Sequence, residues 1–179
     1  MWFDAVEREQ LFAVLDALAP RRCLEWGAGG SAAAILARDA RIETYWSIEH
    51  DAAWYRRVAA SPGDPRASLA LVPPNRPLRF WRSEARIEAW KARAERDPRI
   101  LRDYVEWPAR LGRRFDFVLV DGRARRFCLP AGFARLEPGG ALVLHDAQRP
   151  EYHDALHALG PVEYLEPWVQ GQLAIVRKD

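Results

Sequence analysis

One short segment constrains the fold of this chain most strongly, because three of four consecutive residues are glycine. Gly27, Gly29 and Gly30 follow an apolar run at 22–26 that is typical of a strand, and a small-residue run that favours a helix begins at Ser31. Glycine lets the backbone adopt torsions closed to other residues and approach a ligand closely. The segment therefore predicts a nucleotide-binding turn, with an ordinary tight turn as the alternative.

Strand-like and helix-like segments alternate along the whole chain. The predicted strands cover residues 22–26, 42–48, 68–72, 115–120, 141–144, 162–166 and 173–177. The predicted helices cover residues 4–19, 31–38, 51–60, 125–136 and 150–159, with a further helical face inside 83–106. This alternation implies a parallel sheet covered by helices on both faces and ended by an antiparallel pair of strands. Because no repeat or linker interrupts it, residues 1–179 are predicted to form a single α/β domain.

Three acidic residues are expected to lie at the starts of helices. Asp4 and Glu7 have the spacing of a capping box, and Pro20 ends the helix that they begin. Asp51 is placed to cap the helix that follows the second strand.

The composition excludes several classes of function. A formal net charge of +2 is too small to indicate a nucleic-acid partner. The chain has no apolar run near the roughly 20 residues that span a bilayer and no secretory signal core, so we expect a cytoplasmic protein without a membrane partner. Cys23 and Cys128 are expected to be buried and reduced. A monomer and a homodimer are both compatible with the sequence.

The spacing around the glycines narrows the ligand class. Gly27-x-Gly29-x-x-Ala32 fits a dinucleotide fingerprint, and Glu49 lies at the end of the second strand, where a ribose-binding acid belongs. Glu25, just before the glycines, would repel a pyrophosphate but could face the cationic end of S-adenosylmethionine. We also expect no second domain that would hold a hydride-transfer substrate. An NAD(P)-binding oxidoreductase-type domain and a non-catalytic nucleotide-binding module remain the alternatives.

Four segments together resemble the class I S-adenosylmethionine-dependent methyltransferases, and the resemblance covers nearly the whole chain. These segments are residues 25–31, 47–51, 115–122 and 138–146. The resemblance implies a Rossmann-like fold with a seven-stranded sheet in which only the last strand is antiparallel. Ser31 stands where many members have a third glycine, and it would be tolerated as the N-cap of its helix.

The resemblance also implies the cofactor-binding residues. Glu49 would bind the ribose hydroxyls, because two acceptor oxygens match two neighbouring donors. The backbone near Gly27 and Gly29 would contact the methionine part of the cofactor. No sharp motif in 73–83 identifies an adenine pocket. The full implied set is Glu25, Trp26, Gly27, Ala28, Gly29, Gly30, Ser31, Glu49, His50 and Asp121.

A second group of chemically active residues follows the fourth and fifth strands. Asp121 ends the fourth strand, and His145 and Asp146 follow the fifth. Neighbouring strands lie roughly 5 Å apart, so the two carboxylates must share a proton, pair with cations or bind a metal. Here the chain resembles a metal-dependent branch that includes catechol O-methyltransferase, which implies Asp121, His145 and Asp146 as ligands of Mg, Mn or Co. Without a metal, His145 or Asp121 would serve as a general base, and a purely structural role for all three is the remaining alternative.

The segment after Asp121 bears on the acceptor. Arg123 is the best candidate to bind an acidic acceptor, whereas Arg125 and Arg126 are predicted to form a solvated helix start. The segment is also similar to small bacterial proteins grouped near glucuronoxylan methyltransferases. That similarity implies O-methylation of a hydroxyl on a small molecule or glycan.

Overall fold

Seven strands form one sheet in the computed structural model, which describes residues 4–61, 63–78 and 83–179. They are β1 (Arg22–Trp26), β2 (Thr44–Glu49), β3 (Ala67–Leu71), β4 (Phe115–Val120), β5 (Leu136–Leu144), β6 (Val162–Tyr164) and β7 (Ala174–Arg177). Their order in the sheet is β3-β2-β1-β4-β5-β7-β6. Strand β7 pairs antiparallel with both β5 and β6, and the other pairs are parallel. The predicted Rossmann-like sheet, with only its last strand antiparallel, is confirmed.

Seven α-helices cover the sheet in the same described residues. They are α1 (Ala5–Leu18), α2 (Ser31–Arg38), α3 (Ala52–Ala59), α4 (Glu84–Ala94), α5 (Arg102–Glu106), α6 (Arg125–Phe133) and α7 (His153–His157). Short 3₁₀ helices at Trp107–Leu111 and Pro150–Tyr152 extend α5 and precede α7. No helix in the described ranges is both long enough and apolar enough to cross a membrane.

The helix starts follow the sequence signals at two of three positions. Asp4 and Glu7 form the predicted capping box at α1. Asp51 caps α3 by accepting hydrogen bonds from two backbone amides. The predicted cap at Ser31 is wrong: α2 begins at that residue, its N-cap is Gly30, and no side chain caps it.

Alternation along the central strands divides the core into two layers. Phe117 and Leu119 of β4 face one layer, which α1 and α2 cover. Val118 and Val120 face the other layer, to which α4, α5, α6 and α7 contribute. Successive side chains of a strand point to opposite faces, so a strand buried on both sides reads as a continuous apolar run.

Strand β5 begins earlier than the sequence indicates. Residues 138–140, which the sequence predicts to be a turn, instead lie inside β5, which starts at Leu136. Leu136 pairs with Phe115, and the register then shifts before Phe117 pairs with Ala141. Gly139 has a φ of +80° and its amide donates to the carbonyl of Lys178, so the glycines form an irregularity that stays in the sheet.

The strand order indicates which edge of the sheet holds the candidate site. Sheet order reverses direction between β1 and β4, which are neighbours although they are far apart in sequence. Ligands of open α/β sheets bind beside the carboxyl ends of strands at this kind of switch point. The glycine turn after β1 and Asp121 after β4 therefore meet at one edge of the sheet.

Candidate functional site

A cavity of about 470 Å³ opens at the carboxyl edge of the sheet. The glycine turn and the ends of β2, β4 and β5 form its base, and α4 contributes one wall. This volume is in the range of small-molecule and cofactor pockets. Of the residues predicted from sequence, ten line the cavity: Gly27, Ala28, Gly29, Gly30, Ser31, Glu49, His50, Asp121, Arg123 and His145. The other three, Glu25, Trp26 and Asp146, do not line it.

The glycines of the turn serve two different purposes. Gly27 has a φ of +96°, and a Cβ added to it would lie 2.7 Å from Cα of Gly122. The turns after β1 and β4 are therefore in backbone contact, and the fold itself requires glycine at position 27. A Cβ added to Gly29 would meet no atom within 4 Å. Since Gly29 lines the cavity, its missing side chain leaves room for a ligand rather than for the protein.

Glu25 lies beneath the glycine turn instead of facing the cavity. It is fully buried, and its carboxyl group accepts hydrogen bonds from the hydroxyls of Ser31 and Ser47, the latter at 2.9 Å. Burial raises the pKa of Glu25 to about 8, although the two serine hydrogen bonds oppose that shift. Glu25 therefore does not face the cavity, where the sequence predicts a contact with a cofactor ammonium. Its hydrogen bonds instead connect β1 with β2 and with the start of α2.

Trp26 is also a core residue and not part of the cavity. Its side chain is fully buried, and its indole Nε1 donates to the carbonyl of Tyr104 at 3.0 Å. Adding a Cβ to Gly132 would bring it within 2.9 Å of the Trp26 ring, which shows how closely α6 packs on this residue. The sequence places Trp26 in the cofactor motif by position alone, whereas strand alternation directs its side chain away from the ligand.

Glu49 lies at the cavity as predicted. Its Oε1 accepts hydrogen bonds from the backbone amides of His50 and Asp51, both at 2.7 Å. Nδ1 of His50 lies 2.9 Å from the same oxygen. These contacts hold the carboxylate in one orientation and occupy Oε1, which leaves Oε2 as the better acceptor for a ligand hydroxyl.

An aromatic wall lies beside Glu49, and of its residues only His50 belongs to the predicted set. The ring of His50 stacks on Trp90 with a 6.0 Å centroid separation and an interplanar angle of 7°. Trp54 and Ile87 line the same region, and the indole Nε1 of Trp54 donates to the carbonyl of Ala28 at 2.6 Å. The helical face at Ile87 and Trp90 is visible in the sequence, but its approach to β2 is a tertiary fact. Residues 79–82, part of the segment searched for an adenine pocket, lie outside the described residues.

Arg125 joins the ends of β4 and β5. Its guanidinium lies 3.0 Å from Asp121 Oδ1 and 3.0 Å from Asp146 Oδ2, and it also donates to the carbonyl of His145 at 2.6 Å. Arg149 provides a second cation for Asp146, at 2.8 Å. The prediction of a solvated Arg125 is wrong, because the residue is 6% exposed and neutralises two crowded carboxylates.

His145 is held between acids on both ring nitrogens. Its Nε2 lies 2.6 Å from Glu7 Oε1, and its Nδ1 lies 3.0 Å from Asp121 Oδ1. Burial opposes a charge here, but hydrogen bonds to Asp121, Asp146 and Glu7 raise the pKa of His145 to about 11. This environment favours the protonated imidazole, which has no free lone pair, and so it argues against His145 as the general base that the sequence suggests.

The predicted metal site is not supported. The described residues contain no group of three or more His, Cys, Asp or Glu side chains arranged to hold a metal ion. Asp121 and Asp146 pair with the guanidinium of Arg125, and both ring nitrogens of His145 lie beside carboxylate oxygens, of Glu7 and of Asp121. Among the outcomes expected for two crowded carboxylates, the structure shows pairing with cations. The donor set therefore does not fit Mg, Mn or Co in this arrangement.

Glu95, near the end of α4, extends the network of charged residues around Arg125, and it was not predicted from the sequence. Its carboxylate accepts hydrogen bonds from the backbone amides of Ala124 and Arg125 at 2.8 and 2.9 Å. Ala124 has a φ of +56° and no side-chain cap, so Glu95 supplies the missing cap of α6 from another helix. Burial raises the pKa of Glu95 even though these amides and Arg125 favour its ionised form. No local signal predicts a cap that lies about 30 residues away.

Comparison with known proteins identifies solved structures that share this fold. No family model and no curated protein matches the sequence. A methyltransferase-like protein from Silicibacter pomeroyi is 25% identical over all of this chain and 89% of its own, with a TM-score of 0.64. CalS10, a SAM-bound amino pentose methyltransferase from Micromonospora echinaspora, is 17% identical over 98% of this chain and 97% of its own, with a TM-score of 0.53.

A third solved structure shows how widely the fold is used. A T. thermophilus 16S rRNA N2 methyltransferase in complex with AdoMet and guanosine is 17% identical over 99% of this chain and 44% of its own, with a TM-score of 0.58. The chain therefore has the Rossmann-like fold of the class I S-adenosylmethionine-dependent methyltransferases. The metal-dependent O-methyltransferase branch suggested by the sequence is not confirmed by these neighbours.

Proposed function

We propose that this chain is an S-adenosylmethionine-dependent methyltransferase. The observation that carries the proposal is the convergence of three features on one cavity. These are the open space over Gly29, the oriented carboxylate of Glu49, and Asp121 beside the turn at Gly27. Solved neighbours with the same fold that contain bound SAM or AdoMet support this reading.

Each part of the cofactor has a matching group in the cavity. Glu49 Oε2 would accept a hydrogen bond from the ribose, because Oε1 is already held by two amides. The aromatic wall of His50, Trp54 and Trp90 offers a stacking surface for the adenine. Asp121 Oδ1 is paired with Arg125 and His145, so we assign Oδ2 of Asp121 to the cationic methionine end, in the role that the sequence assigns to the buried Glu25.

The chemistry requires mainly positioning from the protein. When bound, S-adenosylmethionine supplies a methyl group that its sulfonium has already activated. The cavity residues hold the reacting atoms in line, which accounts for a large part of the catalysis of such reactions. We retain a hydroxyl oxygen of a small molecule or glycan as the proposed acceptor. With His145 protonated, Asp121 is the sequence-predicted group that could hold an acceptor proton.

Calorimetric titration with S-adenosylhomocysteine tests the cofactor assignment. We expect saturable binding to the wild type and an affinity about tenfold or more lower for Glu49→Gln, because a charged hydrogen bond to ribose is lost. Glu106→Gln is the matched control, since Glu106 is exposed and does not line the cavity. Binding of NADH in place of S-adenosylhomocysteine would favour the oxidoreductase-type alternative and overturn the proposal.

Turnover distinguishes an enzyme from a binding module. Formation of S-adenosylhomocysteine from S-adenosylmethionine is measured over a panel of hydroxyl acceptors, and the Glu49→Gln variant reports the background rate. Cofactor binding without turnover on any acceptor of the panel would support the non-catalytic alternative.

A further inference from the structure

Two basic side chains on the outer wall of the cavity differ from those at its base. At the base, Arg125 and His145 are compensated by buried acids. On the wall, Lys91 of α4 and Arg123 of the turn after β4 face the same space. Across residues 4–61, 63–78 and 83–179, the guanidinium of Arg123 makes no direct hydrogen bond or ion pair with another side chain, although its charge attracts the carboxylates of Glu88 and Glu95. The wall therefore carries two basic groups, of which Lys91 is paired with Glu88 and Arg123 has no direct side-chain partner in the described residues.

An exposed carboxylate already marks the place where an anion fits. Glu88 lies one helical turn before Lys91, and its Oε1 is 2.6 Å from Lys91 Nζ. The hydrogen bond from Lys91, with added attraction from Arg123, lowers the pKa of Glu88. The side chain of Glu88 is 62% exposed, so it can turn into solvent and release Lys91 to another anion.

We propose that the methyl acceptor carries a carboxylate or phosphate group, which Lys91 and Arg123 bind by displacing Glu88. This inference rests on the proposed function and names the acceptor class for the same cavity. Arginine can offer two parallel N–H donors to either anion, and lysine adds a compact charge beside it. The anion would hold the acceptor between α4 and the turn after β4, next to Asp121 and the glycine turn.

Anion titrations followed by NMR test the subsite directly. Inorganic phosphate and D-glucuronate are added at constant ionic strength to the protein with and without S-adenosylhomocysteine, and the Arg123 side-chain signal and Lys91 amide are followed. D-glucose is the uncharged control. We expect saturable shifts with at least one anion and none with glucose, and the stronger anion identifies the preferred group. Lys91→Gln and Arg123→Gln should each weaken that binding by about fivefold or more.

Two further variants make the test specific to the proposed anion site. Glu88→Gln should tighten anion binding by about twofold or more, because it removes the competing carboxylate. Arg93→Gln should leave binding unchanged, since Arg93 lies exposed on the same helix but outside the cavity lining. Equal binding of glucose, no response to either anion, or no tightening by Glu88→Gln would each overturn the inference.

The cofactor titration separates this inference from the proposed function. If S-adenosylhomocysteine binds the wild type and the anions do not, the anionic acceptor is refuted while the methyltransferase proposal stands. If Arg123→Gln weakens S-adenosylhomocysteine binding about tenfold or more, Arg123 serves the cofactor instead and the inference fails. If S-adenosylhomocysteine does not bind but the anion responses follow the expected order, the proposed function fails and the anion subsite remains.

Discussion

The buried carboxyl group of Glu25 should make the stability of this protein depend on pH in a specific way. It is fully buried beneath the glycine turn, with hydrogen bonds from Ser31 and Ser47. Burial raises its pKa from an ordinary value of 4.5 to about 8. Glu25→Gln is the informative change, because glutamine has nearly the same shape and stays neutral at every pH.

The direction in which the unfolding free energy changes with pH follows from the protonation of Glu25 in the folded and the unfolded chain. Below about pH 4.5 the carboxyl of Glu25 is protonated in both the folded and the unfolded chain. Between about pH 4.5 and 8 the unfolded chain loses this proton and the folded chain keeps it, so the free energy of unfolding falls by about 1.4 kcal/mol per pH unit. The full loss above pH 8 is about 5 kcal/mol for a shift of this size. Glu25→Gln should lack this loss, so its advantage over the wild type grows as pH rises.

Urea denaturation of both proteins at several pH values between about 5.5 and 8.5 measures this effect. His145 and the other titrating groups are present in both proteins, so the difference in unfolding free energy isolates Glu25. Glu163→Gln, at an exposed position of the edge strand β6, is the control and should show no trend over this range. A Glu25→Gln difference that stays constant within about 0.5 kcal/mol across the range would refute a neutral, buried Glu25.

Three other substitutions or measurements test the site. Gly29→Ala should raise the dissociation constant of S-adenosylhomocysteine about tenfold, measured by calorimetry, and change the unfolding free energy by less than about 1 kcal/mol. Gly27→Ala should instead destabilise the fold by about 3 kcal/mol, measured by urea denaturation. Arg125→Met should lower the unfolding free energy by about 2–3 kcal/mol because it removes the cation that Asp121 and Asp146 share, although His145 and Arg149 remain beside them, and Arg126→Met on the same helix should change it little. Nitrogen-15 NMR should show both ring nitrogens of His145 protonated at about pH 8, and a neutral ring at that pH would contradict its pairing with three acids.

Local sequence patterns determined the secondary-structure elements and the glycine turn. The seven strands could be predicted because a continuous apolar run is a local property of the sequence. The capping acids Asp4 and Asp51 could be predicted for the same reason, since each lies within a few residues of the helix start that it caps. The glycine turn and Glu49 could be placed at the cavity because both lie at ends of strands that parallel pairing brings to one edge. The early start of β5 was missed, since Pro138 and two glycines are ordinarily turn residues and here are kept in the sheet by bonds to Lys178.

Only the tertiary structure decided what the charged side chains do. The sequence shows that Glu25 precedes the glycines, but the hydroxyl of Ser47 on the neighbouring strand completes its buried environment. It shows Asp121 and His145, but the cation that neutralises Asp121 is Arg125, and the acid at His145 Nε2 is Glu7 from the first helix. Secondary structure follows from the periodicity of neighbouring residues, whereas charge pairing depends on which distant side chains the packed strands and helices bring within about 3 Å. For that reason the position of the glycine turn was predictable from the sequence, and the ionisation of the charged groups around it was not.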